Sequence, residues 1–510
     1  MPPRNIFALI LSFVTISALS AEENKSDPLQ GRVLFLGDSI THAGHFVTHI
    51  EAFSRAGGDT TSEFINLGLP SETCTGLSEP DHPFPRPNVH DRIERALEVI
   101  KPDIVFACYG MNDGIYYPFD VERFTAYQDG INAIIEKVDK SGARLILMTP
   151  PPFDPEPLRA EGKVKPAGEQ TYAWFEIYEN YDTEVLAKYS EWVMKQSDRP
   201  EVEKVIDLRS PVLSYVEHKR ESEPDFTLSP DGVHLNEEGH AILSTAILDA
   251  FGMDPIELDP GNDADIQGTE RRQQILHPAW VSHIGHTRPG VRPGLPIETA
   301  QIAADLTATE NPVSLFNGLD LQGWKGDDSI WSVKNGVIVG RNEYEVSSST
   351  YLFTKKTYRN FRLIFDVKQT VSPRHSKMHS AIAALGEQIK DEGGNKFGFK
   401  GPLLMFCHDW GIWDANRRNR IEPAQQKGAL RIEAENVGRW NRCEILVVEN
   451  RIRFVANGEL VFDFTDEPEM LQASPIGLQI HKNKQPQEFH FTGLILCEEP
   501  QNELITLKTD

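Results

Sequence analysis

Cysteine is scarce in this chain, and no two cysteines have the spacing of a metal or redox site. The five cysteines among 510 residues are isolated from one another, at Cys74, Cys108, Cys407, Cys443 and Cys497. Without a Cys-x-x-Cys pair, a zinc ribbon or a dithiol redox centre has no support. The odd count leaves at least one thiol unpaired, and the sequence leaves any disulfide pairing open.

Positive charge is in deficit. The chain has 51 Lys and Arg against 76 Asp and Glu, which gives a net charge of -25. An acidic surface repels phosphate backbones and anionic lipids, so nucleic acid and anionic membranes are disfavoured as partners. Hydrophobic residues make up 39% of the chain, which is enough for ordinary globular cores and argues against wholesale disorder.

Long apolar runs are missing except at the start. Arg4 precedes an almost wholly apolar stretch, 6–16, and the small or weakly apolar residues 17–21 follow. This order is typical of a cleaved signal peptide, here over residues 1–21. The run is shorter than the roughly 20 residues that span a bilayer. We therefore expect a secreted or periplasmic protein without stable membrane insertion after cleavage; the alternative is an uncleaved anchor.

Residues 28–252 alternate between strand and helix patterns. Short runs rich in β-branched and aromatic residues predict buried parallel strands, at Val33–Leu36, Phe64–Leu67, Asp103–Tyr109, Arg144–Thr149 and Lys204–Leu208. Amphipathic stretches between them predict helices at 43–56, 89–100, 121–139, 171–196 and 241–251. This alternation predicts an α/β domain with a doubly wound parallel sheet.

Residues 253–311 are rich in Asp, Pro and Gly, which indicates a connector with two short helices, near 270–284 and 298–308. Its histidines, His277, His283 and His286, are candidate metal ligands, but no carboxylate or cysteine motif accompanies them. From residue 312 to 498 short strands follow one another. Asn335-Gly336 and Asn457-Gly458 each stand between apolar runs, which predicts hairpins in an all-β sandwich.

Four separated blocks of the first domain fit one reaction. They are Gly37-Asp38-Ser39-Ile40, Gly68, Gly110-Met111-Asn112-Asp113 and Asp231-Gly232-Val233-His234. The first three follow predicted strands, and the carboxyl ends of parallel strands meet at the edge where open sheets bind ligands. The fourth precedes the last helix, which Asn236 is placed to cap.

A serine hydroxyl needs a base before it can attack a carbonyl carbon. His234 is suited to take that proton, and Asp231 to hold His234 in the useful tautomer. The blocks and their order resemble those of the SGNH (GDSL-type) hydrolase family. The resemblance implies a catalytic Ser39, Asp231 and His234, with an oxyanion hole made by the Ser39 and Gly68 N–H groups and the Asn112 amide. It implies no metal or organic cofactor.

The last domain resembles a second family. Its opening, Ser314 to Trp324, and the segments Trp331–Val337, Tyr351–Thr354 and Ile476–Gln479 are similar to the 3-keto-disaccharide hydrolase domain. The resemblance implies a concanavalin-like β-sandwich associated with sugars. Trp410 and Trp413 are candidate platforms for sugar rings, with Asp409, Asp414 and Arg417 as partners for the hydroxyls; the alternative is that both tryptophans pack in the core or a loop.

Together these features predict a secreted serine esterase that hydrolyses acyl esters, in particular acetyl esters, on carbohydrates. Three alternatives stay open. One is a lipase or thioesterase acting on longer acyl chains. Another is a bifunctional esterase whose β domain cleaves 3-keto-glycosides. The third is a glycan-binding protein with a relic esterase, against which the intact set of Ser39, Asp231 and His234 speaks.

Overall fold

The computed structural model describes residues 29–159, 161–169, 171–253, 263–371, 380–390, 395–406, 411–421 and 434–508. The predicted signal peptide, Cys407, Asp409 and Trp410 lie outside these ranges. Within them, no helix is both long and apolar enough to cross a membrane.

A five-stranded parallel sheet forms the centre of the first half of the chain. Its strands are β1 Arg32–Gly37, β2 Glu63–Asn66, β3 Ile104–Cys108 and β4 Arg144–Met148, then, after the short pair β5 Val164–Lys165 and β6 Ile177–Tyr178, β7 Lys204–Ile206. The strand order is β2-β1-β3-β4-β7. Every residue of β3 is buried, because helices cover both faces of the sheet.

The helices of this half lie between and after the strands. They are α1 Ser39–Ala43, α2 His45–Ala56, α3 Ile93–Ile100, α4 Val121–Ser141, α5 Glu156–Arg159, α6 Ala187–Met194, α7 Arg209–Arg220 and α8 Glu237–Ala250. The Asn236 side chain accepts a hydrogen bond from the Gly239 N–H and caps α8. The predicted doubly wound α/β fold is confirmed by the parallel strands and by this helical cover.

The predicted helix over 171–196 is only partly right. Trp174 and Phe175 form a turn between the bridged residues Ala173 and Glu176, and β6 follows. A π-helical turn covers Tyr181–Leu186, and α6 begins at Ala187. Of the aromatic side chains in this segment, Tyr172 and Tyr178 are buried, whereas Trp174 and Phe175 are exposed. An aromatic cluster fits either period, so its pattern alone did not separate the two.

The connector contains α9 Asp263–Ile284 and α10 Ile297–Leu306. Helix α9 joins the first domain, where the Gln273 side-chain amide donates to the Phe64 carbonyl at 2.9 Å. Helix α10 faces the second domain, where Ala303 and Leu306 are buried with Ile364 and Ile495. The connector helices are therefore packed into both halves of the protein.

The second half is a sandwich of two antiparallel sheets. One contains β8 Val313–Ser314, β10 Trp331–Lys334, β11 Val337–Asn342, β13 Phe361–Val371, β19 Asn441–Val448, β20 Arg451–Ala456, β21 Glu459–Thr465 and β23 Gln487–Glu498. The other contains β9 Trp324–Lys325, β12 Thr350–Tyr358, β14 Ala381–Ala383, β15 Glu387–Ile389, β16 Gly398–Met405, β17 Ile412–Ala415, β18 Asn419–Arg420 and β22 Ser474–Ile480. The predicted all-β sandwich is confirmed.

Both Asn-Gly hairpins form as predicted. Asn335 and Gly336 have φ of 49° and 73° between β10 and β11, and Asn457 and Gly458 have φ of 52° and 87° between β20 and β21. Asn and Gly tolerate positive φ at both central positions of such a turn, whose twist matches that of the flanking strands.

Candidate active site

Ser39, His234 and Asp231 lie in one hydrogen-bonded row at the carboxyl edge of the parallel sheet. Ser39 begins α1 directly after β1 and Asp38. His234 Nε2 is 2.8 Å from Ser39 Oγ, and His234 Nδ1 is 2.6 Å from Asp231 Oδ2. Asp231 Oδ1 also accepts the backbone N–H of Val233 and of His234. One carboxylate therefore holds both the ring and the backbone of the histidine.

The charges in this row are arranged for proton transfer. The hydrogen bond that His234 donates to Asp231 raises the pKa of His234 against the opposing effect of burial. Burial pushes the pKa of Asp231 upward, but hydrogen bonds from the His234 side chain and backbone lower it to about 2. Asp231 is thus ionised at neutral pH, and His234 is a stronger base than a free imidazole.

Asn112 lines the same cavity as Ser39 and His234, and its amide has a defined orientation. Its Oδ1 accepts from Arg86 Nη1 at 3.0 Å and from the Tyr116 hydroxyl at 2.9 Å, while its Nδ2 donates to the Glu72 carbonyl at 3.2 Å. Two donors to Oδ1 settle which end of the amide is oxygen. One Nδ2 hydrogen remains for another acceptor.

Arg86 is itself held in place. Its Nε and Nη2 bind Glu79 at 2.6 and 2.7 Å, and both side chains are buried. A bidentate ion pair of this kind fixes the plane of the guanidinium group. Glu79 and Arg86 therefore support the orientation of Asn112, and neither residue was among the candidates that we derived from the sequence.

Gly68 is placed differently from the prediction. Its N–H donates to Asn66 Oδ1 at 2.7 Å, and the residue is not among those that line the cavity. A Cβ at this position would lie 2.2 Å from the His42 backbone nitrogen, so close packing against α1 accounts for the glycine. The geometry thus corrects the assignment of Gly68 to the oxyanion hole.

Ser71 occupies the cavity wall instead. Glu72 N–H donates to the Leu69 carbonyl, and Ser71 has φ of 67°. With Pro70 in the second position, these residues form a type II turn, whose third residue needs positive φ. The proline after Leu69 marks this turn in the sequence, but the place of Ser71 in the cavity wall is visible only in the tertiary structure.

Asp38 and Asp113 have structural contacts. Asp38 accepts the Ile40 N–H at the start of α1, and burial raises its pKa to about 7. Asp113 Oδ1 accepts the N–H groups of Cys74 and Thr75. Asp113 therefore ties the loop that carries Ser71 to the turn that carries Asn112.

The cavity measures about 340 Å³, and two exposed aromatic rings form part of its lining. Trp174 and Phe175, 51% and 42% exposed, meet edge to face with 5.4 Å between ring centroids. The cavity is also lined by Tyr116, Leu158 and Val233. Exposed aromatic rings beside a polar pocket are suited to packing against a sugar ring.

The connector histidines do not converge on a metal site. His277 Nε2 lies 3.2 Å from the Gly68 carbonyl, and burial lowers its pKa to about 3. His283 is exposed and packs against Trp280, and His286 lies in the following loop. Within the described ranges, no three His, Cys, Asp or Glu side chains are grouped to hold a metal ion. Cys74, Cys108 and Cys497 are buried free thiols, and Cys443 is buried as well.

In the β domain, Trp413 is half-buried and lines a cavity of about 400 Å³ with Tyr351 and Phe399. Asp414 is not available to a sugar hydroxyl, because it is buried and paired with Arg417 and Arg418. Arg418 also binds Asp466. Arg417, which we had considered as a partner for sugar hydroxyls, therefore belongs to an ion-pair network at the turn between β17 and β18.

A serine, a histidine and an aspartate in hydrogen-bonded order at the edge of an α/β sheet are the arrangement of a serine hydrolase. Residues 35–242 match the GDSL-like Lipase/Acylhydrolase family, and residues 311–491 match the 3-keto-alpha-glucoside-1,2-lyase-like domain. Both predicted resemblances are confirmed, in the predicted order. The first domain is therefore similar to the GDSL-like acylhydrolases, a family of carboxylic ester hydrolases.

Solved structures with similar parts are distant. A gut microbial diltiazem-metabolizing enzyme is 19% identical over 44% of this chain and 47% of its own, with a TM-score of 0.32. This chain thus spans about half the length of that enzyme. A carbohydrate acetylesterase family member from Sinorhizobium meliloti is 17% identical over 44% of this chain and 100% of its own, with a TM-score of 0.30.

The carbohydrate binding module CBM66 from Bacillus subtilis is 11% identical over 34% of this chain and 93% of its own, with a TM-score of 0.23. None of the curated proteins compared with the chain matches it. The function therefore rests on the family match and on the geometry of the site.

Proposed function

We propose that this protein is an exported carbohydrate esterase that removes acetyl groups through Ser39, His234 and Asp231. The observation that carries the proposal is the hydrogen-bonded row from Ser39 Oγ to Asp231 Oδ2 inside an open cavity. The family match supports ester hydrolysis, and the signal-like pattern over residues 1–21 supports export.

In the proposed reaction, Ser39 Oγ attacks the acyl carbon and passes its proton to His234 Nε2. His234 then protonates the alcohol oxygen as its bond to the acyl carbon breaks, which releases the alcohol and leaves an acyl-serine. A water molecule, deprotonated by His234, attacks this second ester, and the proton returns to Ser39 as the free acid leaves. Asp231 stabilises the imidazolium in both halves.

We further propose three donors for the oxyanion. We assign this role to the backbone N–H of Ser39, the backbone N–H of Ser71 and the remaining Nδ2 hydrogen of Asn112. Ser71 takes the role predicted for Gly68, because Ser71 lines the cavity and the Gly68 N–H is bound to Asn66. Donors fixed before the reaction cost no reorganisation when charge develops.

Asn112→Ala is expected to lower kcat by about a hundredfold to a thousandfold with a small change in KM. The reason is that an oxyanion donor acts mainly in the transition state. Steady-state kinetics on p-nitrophenyl acetate measure this. Tyr116→Phe, which removes one hydrogen bond that orients the Asn112 amide, should lower kcat by a smaller factor. A raised KM with unchanged kcat for Asn112→Ala would assign Asn112 to substrate positioning.

The carbohydrate part of the proposal rests on Trp174 and Phe175 at the mouth of the cavity and on the fusion to a domain that matches a glucoside-acting family. We expect Trp174→Ala to raise KM for an acetylated xylo-oligosaccharide by about tenfold, since aromatic stacking contributes on the order of 1 kcal/mol. The same variant should change KM for p-nitrophenyl acetate by a much smaller factor. Equal changes on both substrates would contradict a sugar platform.

The alternative of a lipase or thioesterase predicts a different chain-length profile. An acetylesterase should lose activity steadily from p-nitrophenyl acetate to the butyrate and octanoate, whereas a lipase should gain it. A maximum at butyrate or longer would overturn the acetyl assignment and leave the serine mechanism intact.

A further inference from the structure

The catalytic cavity contains more positive charge than its catalytic residues use. Arg86, Lys163 and Arg288 all line it, although the protein as a whole has a net charge of -25. A cation that has no carboxylate partner in such a cavity would indicate a local requirement for an anion. The partner of each cation identifies which of them is available.

Two of the three cations are paired with carboxylates. Arg86 forms its buried bidentate ion pair with Glu79. Lys163 Nζ lies 2.5 Å from Glu161, and both of these side chains are about half exposed. The Asp231 carboxylate in the same cavity is bound to His234, so it is already committed.

Arg288 has no carboxylate partner in the part of the chain that the structure describes. Its Nη1 donates to the Pro289 carbonyl at 2.7 Å. Its Nε is buried without a hydrogen-bond partner in those same residues. The guanidinium carbon stands 5.1 Å from the centroid of the Phe84 ring, and burial lowers the pKa of Arg288 from its usual value.

This arrangement leaves a partly desolvated charge at the substrate cavity. A guanidinium group presents paired N–H donors that match a carboxylate or a sulfate. Stacking on Phe84 restricts the group and so lowers the entropy lost when an anion binds. Because Nε is buried, such a ligand would reach the guanidinium group at its Nη atoms, where its negative charge would offset the partial desolvation of Arg288.

We propose that Arg288 binds an anionic group on the alcohol part of the substrate, so that the esterase prefers acetylated acidic saccharides. The proposal rests on the proposed function, since an acetyl group has no charge and the anion must then belong to the sugar. The shared chemistry is a carboxylate or a sulfate next to the acetylated ring. Arg288 is a specificity-determining residue supplied by the connector and takes no part in proton transfer.

The test uses the full-length protein and three soluble substrates: an acetylated methyl glucuronoside, the matching acetylated methyl glucoside, and that glucoside bearing a 6-sulfate. The wild type should have a kcat/KM that is about 10- to 100-fold higher for an anionic substrate than for the neutral one, as charge-assisted hydrogen bonds allow. Preference for the glucuronoside or for the sulfated glucoside identifies the source of the anion.

Arg288→Gln should remove this preference, mainly by raising KM for the anionic substrate, and Arg288→Lys should restore part of it. Lys163→Gln is the matched control, since it removes a cation of the same cavity that already has a carboxylate partner; it should change the preference by less than about threefold. Added NaCl should weaken the preference of the wild type and leave Arg288→Gln less affected.

A wild type without preference for either anionic substrate overturns the proposal. So does a loss in Arg288→Gln that is equal on charged and neutral substrates, because it would indicate that Arg288 only supports the connector. Thermal unfolding of each variant separates that case from misfolding. Hydrolysis of p-nitrophenyl acetate by the wild type reports on the esterase itself, so failure of the proposed function is distinguished from failure of the anion site.

Discussion

Ser39→Ala is expected to lower kcat for p-nitrophenyl acetate by at least about a thousandfold and by up to about a millionfold. The Ser39 hydroxyl is the atom that His234 Nε2 reaches at 2.8 Å, and alanine leaves no nucleophile there. The fold should persist, because Ser39 is only partly buried and the cap of α1 comes from Asp38. Steady-state kinetics and thermal unfolding of the same preparation measure both.

A matched control exists in the same cavity. Ser71→Ala removes the other serine hydroxyl of the cavity wall but keeps the backbone N–H that we assign to the oxyanion. We expect kcat of Ser71→Ala to fall by less than about tenfold. A covalent serine reagent should label the wild type and Ser71→Ala but not Ser39→Ala. Labelling of folded Ser39→Ala, or activity within tenfold of the wild type, would remove Ser39 as the nucleophile.

Asp231→Asn is expected to lower kcat by about ten-thousandfold at neutral pH. Asparagine keeps the size of the side chain but presents no carboxylate to His234, so the ring loses both its orientation and the partner for its positive charge. Asp231 Oδ1 also accepts two backbone N–H groups, and the asparagine oxygen can replace it there. The free energy of unfolding should therefore change little, although kcat falls.

The pH profile separates this role from a purely structural one. His234 must be neutral to accept the Ser39 proton, so kcat/KM should rise with pH through the pKa of His234. In the wild type the hydrogen bond that Asp231 accepts from His234 raises this pKa above 6.5, which places the acid limb above that value. In Asp231→Asn the raising effect disappears, burial remains, and the limb should move to lower pH. The ratio of kcat/KM between wild type and variant should thus shrink as pH falls. An acid limb that does not move in Asp231→Asn would contradict the assignment.

Much of the α/β domain could be predicted because its information is local. Each buried run, such as Asp103–Tyr109 and Arg144–Thr149, becomes a strand, β3 and β4. The interval between Asp231 and His234 is three residues, so their contact depends only on a short turn. In the β domain, Asn335-Gly336 specifies a hairpin through its own backbone preferences.

The errors have a common cause. The helix predicted over 171–196 does not form in its first part, where Tyr172 and Tyr178 are buried. Such burial depends on residues from other segments, and tertiary packing overrides local helix propensity. Gly68 is a glycine at the end of a strand, as the prediction required. Its N–H nevertheless donates to Asn66, and its Cα faces α1. The direction of a backbone N–H depends on the turn that follows, and Pro70 determines that turn.

By itself, the sequence determined the two fold classes and singled out Ser39, Asp231 and His234, the side chains that we propose react and that lie in one hydrogen-bonded row. It could do so because the carboxyl ends of parallel strands share one edge, and because a strand or a tight turn is specified by a few neighbouring residues. Only the tertiary structure decided what surrounds them: the Ser71 turn in the cavity wall, the Glu79–Arg86 pair behind Asn112, and Arg288 arriving from the connector. These contacts join segments far apart in the chain, and such contacts follow from the packing of whole domains, which no local pattern encodes.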